Sequence, residues 1–367
     1  MNLIGHEAIE RELRSFAASD EPPHALLLAG PESTGRRALA THLAQLLNCA
    51  AAPGGAKAPA AQPGFGFELA PEPSEAWPCG RCRACHLIAE GTHPDIVTVG
   101  PGDTLCRPRA GDTGHEKHAQ ARDIRICQVR GIIDAVSRFP FEARHRVVII
   151  DPAEAITEPA SHAILKTLEE PPGHTVFVLI SGAPESIMET VRSRCRRIEV
   201  RLVGRQEIEA GLGRLGFAPA LIGEAAAASH GRPGRAVSFA RQPDLMGDRT
   251  RLLSRCGRLA SGSLGERFRY SEDLAERWRR DRDRQAIFVE LDTWEAFWRT
   301  RLHRAADLPH GDRSPLRGAV EALKAVTQAR ADLQANVLVR GVFDLMLLTF
   351  PRLTLGEVAE EATTPHE

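Results

Sequence analysis

An α/β fold around a buried parallel sheet is what this sequence predicts, and three stretches predict it. Val147 to Ile150 and Val176 to Ile180 are short apolar runs rich in Val and Ile, without the polar alternation of a half-exposed strand. The segment between them carries Ile164, Leu165 and Leu168 at helical spacing and stops at Pro171 and Pro172, which makes a βαβ unit. A third apolar run, Ala25 to Ala29, leads directly into the glycine-spaced loop Gly30-Pro31-Glu32-Ser33-Thr34-Gly35.

At 367 residues the chain is too long for one small core and should form two or three domains. Its 47 basic and 48 acidic residues leave a net charge of −1, so no global field draws it to nucleic acid or anionic lipid. Any DNA contact would be local or made through partners. No basic-then-apolar leader opens the sequence and no apolar run is long enough for a bilayer, so a soluble, cytoplasmic protein is expected. Eight cysteines without a secretion signal fit metal ligands and core thiols better than disulfides. Arginine is the default base throughout, which weakens any argument from an isolated arginine.

In chain order, Ile9, Leu13, Phe16 and Ala17 recur at helical spacing, and Glu21-Pro22-Pro23 ends that helix. After the strand at Ala25 to Ala29, the loop and the apolar helix Ala38 to Leu47 have the position and spacing of a phosphate-binding loop, G-x-x-x-x-G-K-[ST]. Two residues depart from it. Arg36 stands where a lysine reaches the terminal phosphates, and Arg37 where a hydroxyl holds Mg²⁺.

Cys79-Gly80-Arg81-Cys82-Arg83-Ala84-Cys85 needs a fourth ligand to complete a tetrahedral Zn²⁺ site. Cys49, at the end of the preceding helix, is the best candidate, with His86, His93 and Cys106 as rivals. Four thiolates leave no open position for water, so the site is read as structural, with Arg81 and Arg83 partly offsetting its negative charge. The Ala-, Pro- and Gly-rich residues 50–78 and the polar residues 100–122 read as surface loops.

Ile96 to Val99 is a further strand, and Ile126, Val129, Ile132, Ile133 and Val136 mark a helix in which Cys127 is a core thiol. Phe139-Pro140-Phe141 turns the chain into the strand that ends at Asp151. An acid there holds Mg²⁺ in P-loop ATPases, and an adjacent Glu polarises the attacking water. Here Pro152 follows, and Glu154 would need a different backbone path to serve. Gly30, Gly35, Arg36, Arg37 and Asp151 are therefore read as a degenerate nucleotide site that does not bind ATP. Thr157 caps the next helix, with Pro159 in its first turn, and a short helix carrying Met188 and Val191 leads to Arg192-Ser193-Arg194-Cys195-Arg196.

From about Leu202, two short helices carry Ile208, Leu212 and Leu215 and then Leu221 to Ala228. From about residue 246 the chain reads as helices: Leu252 to Leu259, Leu274 to Arg284 leading into Ile287, Leu291, Trp294 and Trp298, then Val320 to Ala331, and Val337 to Phe350. Arg277, Arg279, Arg280, Arg282 and Arg284 alternate with acids and read as a solvated or subunit-facing helix rather than a DNA surface. The last helix is apolar on most sides, which buried packing in an oligomer would explain. The acidic tail from Glu357 reads as disordered.

Ala163-Ile164-Leu165-Lys166-Thr167-Leu168-Glu169-Glu170-Pro171-Pro172 followed by Ser193-Arg194-Cys195 resembles the AAA+ clamp-loader subunits, and the cysteine cluster narrows the resemblance to the bacterial DNA polymerase III loader. It covers about residues 1–245 with specific motifs. The resemblance implies a RecA-like AAA+ α/β domain over 1–202 with an inserted zinc module at about 49–86, a small helical lid over 203–245, and a helical oligomerisation collar over 246–367. It implies that Arg194 is an arginine finger placed in the ATP site of a neighbouring subunit, where a fixed cationic fork meets charge developing on the transferred phosphoryl group. Active loader ATPases place a nucleotide-sensing arginine in the fourth position of a segment like Gly231-Arg232-Pro233-Gly234; Gly234 stands there, and Arg235 points about 100° further round a helix.

The resulting expectation is a noncatalytic subunit of a hetero-oligomeric loader. Its partners would be the gamma/tau ATPase and delta subunits and, through the assembly, the sliding clamp and primer-template DNA at the replisome. An ATP-hydrolysing motor subunit and a zinc-dependent nucleic-acid-binding module are the rivals, and the near-neutral charge argues against the second.

Overall fold

The computed structural model describes residues 3–19, 21–52, 77–108, 121–242, 244–281, 284–307, 313–335 and 337–354. Most of the two inserts read as loops, the acidic tail and Arg282 lie outside them, as does the side chain of Arg284. The chain divides into compact units at residues 1–240 and 241–367.

In the first unit, β1 (Ala25–Ala29), β2 (Ile96–Val99), β3 (Arg146–Ile150), β4 (Thr175–Ser181) and β5 (Arg196–Glu199) form one parallel sheet in the order β2-β3-β4-β1-β5. Every residue of β1, β3 and β4 is buried, because helices cover both faces. Leu26, Leu28, Val147, Ile149, Val176 and Val178 point to the face covered by α1 (Glu7–Ala18) and α2 (Arg36–Asn48). The alternate residues Leu27, Val148, Ile150, Phe177 and Leu179 meet α4 (Ile126–Val136) and α5 (Glu158–Glu169) on the other face. This is a doubly wound parallel α/β fold. The chain reverses its direction of winding between β1 and β4, so the crevice at their carboxyl ends is the ligand position of such a sheet.

β5 has no counterpart in the sequence reading. It spells Arg-Arg-Ile-Glu, of which only Ile198 is buried, because it is an edge strand paired on one side with β1. Arg196 instead lies 4.3 Å over the Phe16 ring and pairs with Glu12 at 2.8 Å. The short helices α3 (Arg83–Glu90), in the cysteine-rich segment, and α6 (Glu189–Arg192) complete the sheet region. Three helices follow it, α7 (Arg205–Arg214), α8 (Pro219–Ser229) and α9 (Pro233–Arg241).

The entry to β3 hangs on one carboxylate. Asp95 is fully buried and accepts hydrogen bonds from the backbone N–H groups of Phe141, Glu142 and Ala143 at 2.8, 2.9 and 3.0 Å and from Arg146 Nη2 at 2.8 Å. Burial alone would raise its pKa; the N–H groups of Glu142 and Phe141, with Arg146 and Ala143, outweigh burial and hold it below the usual carboxylate range.

The second unit is helical: α10 (Asp244–Ser261), α11 (Leu264–Asp281), α12 (Arg284–Asp307), α13 (Ser314–Gln334) and α14 (Val339–Thr349). Its core is aromatic, with Trp294, Trp298, Phe343 and Phe350 buried and the Trp298 and Phe350 rings 5.2 Å apart. Arg267 is buried beneath it and donates to the carbonyls of Leu259 and Ala260 at the end of α10 and of Leu347 and Phe350 at the end of α14. One guanidinium thus caps two helix ends, whose terminal carbonyls otherwise lack partners. Buried Glu290 receives Arg255, Arg277 and the Tyr270 hydroxyl.

The charged run on α11 therefore reads differently from sequence alone. Arg277 reaches Glu290 inside its own unit, while Arg280 pairs with Asp281 at the surface. Likewise Val339, Val342, Phe343, Met346 and Leu347 of α14 are buried within the unit, while Val337, Leu338, Leu345 and Leu348 are exposed.

Asp95→Ala is expected to destabilise the first unit by about 3–5 kcal/mol, the scale of breaking a buried charged pair, as measured by chemical denaturation. Because the folded-state pKa is depressed, Asp95 contributes stability above the unfolded value near about 3.9 and loses it as pH falls through the folded value. The gap between wild type and Asp95→Asn should therefore narrow in acid; a constant gap would count against this account.

Candidate functional site

The residues that carry chemistry fall at three places in the first unit. At the carboxyl end of α2, Cys49, Cys79, Cys82 and Cys85 converge, with all four Sγ atoms within 4.8 Å of one another. Tetrahedral thiolate ligation of Zn²⁺ places sulfurs about 3.8 Å apart, so this donor set fits such an ion. The N–H groups of Ala51 and Cys79 donate to Cys49 Sγ at 3.4 and 3.2 Å, and that of Cys82 to Cys79 Sγ at 3.3 Å. It is the one group of three or more such ligands among the described residues. His93 lies elsewhere, buried, with Nδ1 accepting from the Asp95 N–H at 3.1 Å. Cys106 lies by Gly131 of α4, its backbone nitrogen 3.5 Å from where a Cβ on Gly131 would sit.

The cluster is tied to α2 by side chains that supply its missing end-caps. The Trp77 indole N–H donates to the Leu46 carbonyl at 3.0 Å, and Arg144 Nη2 to the Leu47 carbonyl at 2.8 Å. Asn48 exchanges two hydrogen bonds with His145, and Gln45 donates to the Cys85 carbonyl at 2.9 Å. Burial pushes the Arg144 guanidinium down from its ordinary pKa and the charge at Cys49 pushes it back up. Arg144 is thus a cation beside the sulfurs that motif spacing did not reveal. Arg83 is occupied with Glu142 at 3.5 Å.

At the amino end of α2 lies the phosphate-type loop. Gly30 and Gly35 take the positive φ values 157° and 98°. A Cβ on Gly30 would stand 2.1 Å from the Val200 carbonyl oxygen, so the approach of β5 admits only glycine there. Arg36 is 9% exposed, and its Nη1 has no hydrogen-bond partner among the described residues. Burial lowers its pKa, opposed by the charges of Glu154, Asp151 and Glu32. Arg37 pairs with Asp151 at 3.5 Å. Burial raises the Asp151 pKa, opposed by Arg37 and Arg36.

A short 3₁₀ turn, Ala153–Ala155, brings Glu154 to the end of β4, where its Oε1 accepts the Gly182 N–H at 3.1 Å. Arg36 and Glu154 flank Gly182, at 3.6 and 3.5 Å from where its Cβ would sit. Arg37 is thus paired with Asp151, and the charges of Glu154 and Asp151 act on Arg36 without a direct hydrogen bond to its Nη1. The start of α9 closes down on the same loop. The Gly234 N–H donates to the Ser33 carbonyl at 2.8 Å, and a Cβ on Gly234 would lie 2.9 Å from that oxygen. No arginine fits at that position without displacing the loop.

The third place is the Ser193-Arg194-Cys195 turn after α6. Val191 is fully buried and Cys195 half-buried in the core, and burial pushes the Cys195 thiol up to about 12, so it stays protonated. Between these anchors Arg194 points outward, one-third exposed, donating to the Thr190 carbonyl at 2.7 Å and pairing with Glu169. Arg194 belongs to neither of the other clusters.

Residues 66–203 match the family model described as DNA polymerase III, delta subunit. The chain is 36% identical over 172 residues to DNA polymerase III subunit delta' of Pseudomonas aeruginosa, covering 47% of this chain and 41% of that protein. It is also 34% identical over 119 residues to the delta' subunit of Haemophilus influenzae (32% of this chain, 31% of that protein), and 28% identical over 207 residues to the tau subunit of Bacillus subtilis (56% and 30%). The chain spans less than half the length of these curated relatives. No helix among the described residues is long and apolar enough to cross a membrane.

Two outcomes follow from this geometry. Metal analysis should find about one ion per chain held by the thiolates and lost in Cys82→Ala; an undiminished metal content would exclude the cluster as its site. Calorimetry should detect no ATP binding by the isolated chain, and none by Arg36→Lys/Arg37→Thr, because α9 still presses on Ser33. Micromolar binding by the double variant would show that the two arginines alone block the site.

Proposed function

We propose that this chain is a noncatalytic subunit of the DNA polymerase III sliding-clamp loader, lending Arg194 in trans to the ATP site of a neighbouring subunit. The observation that carries the reading is the opposition between two ends of one sheet. The crevice that would hold nucleotide carries Arg36 and Arg37 where a lysine and a metal-holding hydroxyl would stand, with Arg37 paired to Asp151, while Arg194 is displayed on a turn anchored by Val191 and Cys195. An arginine so mounted can meet charge that develops on a phosphoryl group bound elsewhere, which needs no nucleotide site on its own chain.

In this reading the four cysteines hold a structural Zn²⁺ that fastens the 77–90 segment to α2. Residues 203–245 act as a lid closed permanently on the phosphate loop, and residues 246–367 join the ring of subunits, with Leu338, Leu345 and Leu348 available for that contact. Partners would be the gamma/tau ATPase and delta subunits and, through the assembly in the cytoplasm, the clamp and primer-template DNA.

Reconstitution of the loader with Arg194→Ala tests the central claim. The site deprived of its finger should lose about 10³-fold or more in turnover while nucleotide binding by the neighbour persists. Unchanged clamp- and DNA-stimulated ATPase would rule the trans role out.

A further inference from the structure

Arg194 is not alone at its turn. Nη1 donates to the Thr190 carbonyl at 2.7 Å, and Nη2 to a carboxylate oxygen of Glu169, the last residue of α5. Glu169 is 46% exposed in its side chain, so it is no part of the core. Its place is also unfavourable for helix stability, since a carboxylate in the last turn faces the negative end of the helix dipole. The residues beside each partner are fixed, however. Leu168 and Val191 are fully buried in the same apolar layer, which sets the spacing between the backbones that carry Glu169 and Arg194.

We propose that Glu169 is a positioning residue for Arg194: its carboxylate, together with the Thr190 carbonyl, holds the guanidinium extended before the subunit docks. This rests on the finger reading above. A guanidinium carries five N–H donors in a planar fork, and two contacts on its Nη atoms fix the plane while leaving other donors for an incoming anion. A free arginine must freeze several rotatable bonds at the moment of catalysis; one already latched has lost that freedom beforehand. The placement accounts for an acid at a helix end where stability alone would not put one.

The test is a double-mutant cycle in the reconstituted loader, with kcat and KM for ATP measured at saturating clamp and primer-template DNA. Glu169→Ala should lower kcat about two- to tenfold, the scale of freezing one flexible side chain, with KM unchanged. Glu169→Gln, which keeps an acceptor oxygen for Nη2, should restore kcat to within about twofold of wild type. In an Arg194→Ala background, Glu169→Ala should change nothing further. An equal loss in that background, a shift confined to KM, a Gln variant as slow as the Ala variant, or an unchanged kcat in Glu169→Ala would each overturn the assignment. If Arg194→Ala is slow and Glu169→Ala is not, only the positioning role falls. If Arg194→Ala is itself unimpaired, the finger reading falls and takes this inference with it.

Discussion

The buried carboxylate of Asp95 ties the entry of β3 to the rest of the first unit. It gathers three consecutive backbone N–H groups and Arg146, which fixes the turn through residues 141–146 as the chain enters β3. From that turn Arg144 and His145 reach the carboxyl end of α2, at Leu47 and Asn48, and Cys49 follows one residue later. A charge isolated from water is stable only when its lone pairs are fully engaged, so the turn has little freedom to move. The position of the metal-type cluster is thus set from two directions, by sulfur chemistry and by the partners of Asp95.

α2 links this cluster to the phosphate loop at its other end. A helix leaves N–H groups bare at its start and carbonyls bare at its finish. In a phosphate-binding protein the bare N–H groups meet an anion. Here the crevice beside them is occupied by Arg36, Arg37 and their two carboxylates, and the start of α9 is seated on Ser33. The carbonyl end is closed by Trp77 and Arg144. The chain itself closes the carbonyl end of α2, whereas at the amino end it places arginines and carboxylates beside the bare N–H groups.

The second unit follows the same rule with different residues. Arg267 closes the ends of α10 and α14, and Glu290 draws Arg255, Arg277 and Tyr270 together. An arginine-rich sequence invites a surface or nucleic-acid reading for all of these. Arg267 belongs to the interior because carbonyls from two distant helices converge on it, and nothing in its neighbours along the chain announces that.

The sequence by itself determined the buried strands, since a sheet covered on both faces leaves an unbroken apolar run, and β1 and β2 fall where the pattern put them. It also determined the thiol cluster, because close cysteine spacing is dictated by the ligand chemistry, and the departures at Arg36, Arg37 and Pro152 from a working nucleotide site. Other features were decided only in three dimensions. β5 carries one buried residue because an edge strand needs only one apolar face, so no periodicity marks it. Asp95 with Arg146, Arg144 with Leu47, Gly234 with Ser33 and Glu169 with Arg194 are pairs that lie 25 or more residues apart. Local pattern records what a residue's own element requires, whereas these contacts exist only once the sheet has brought separate elements together.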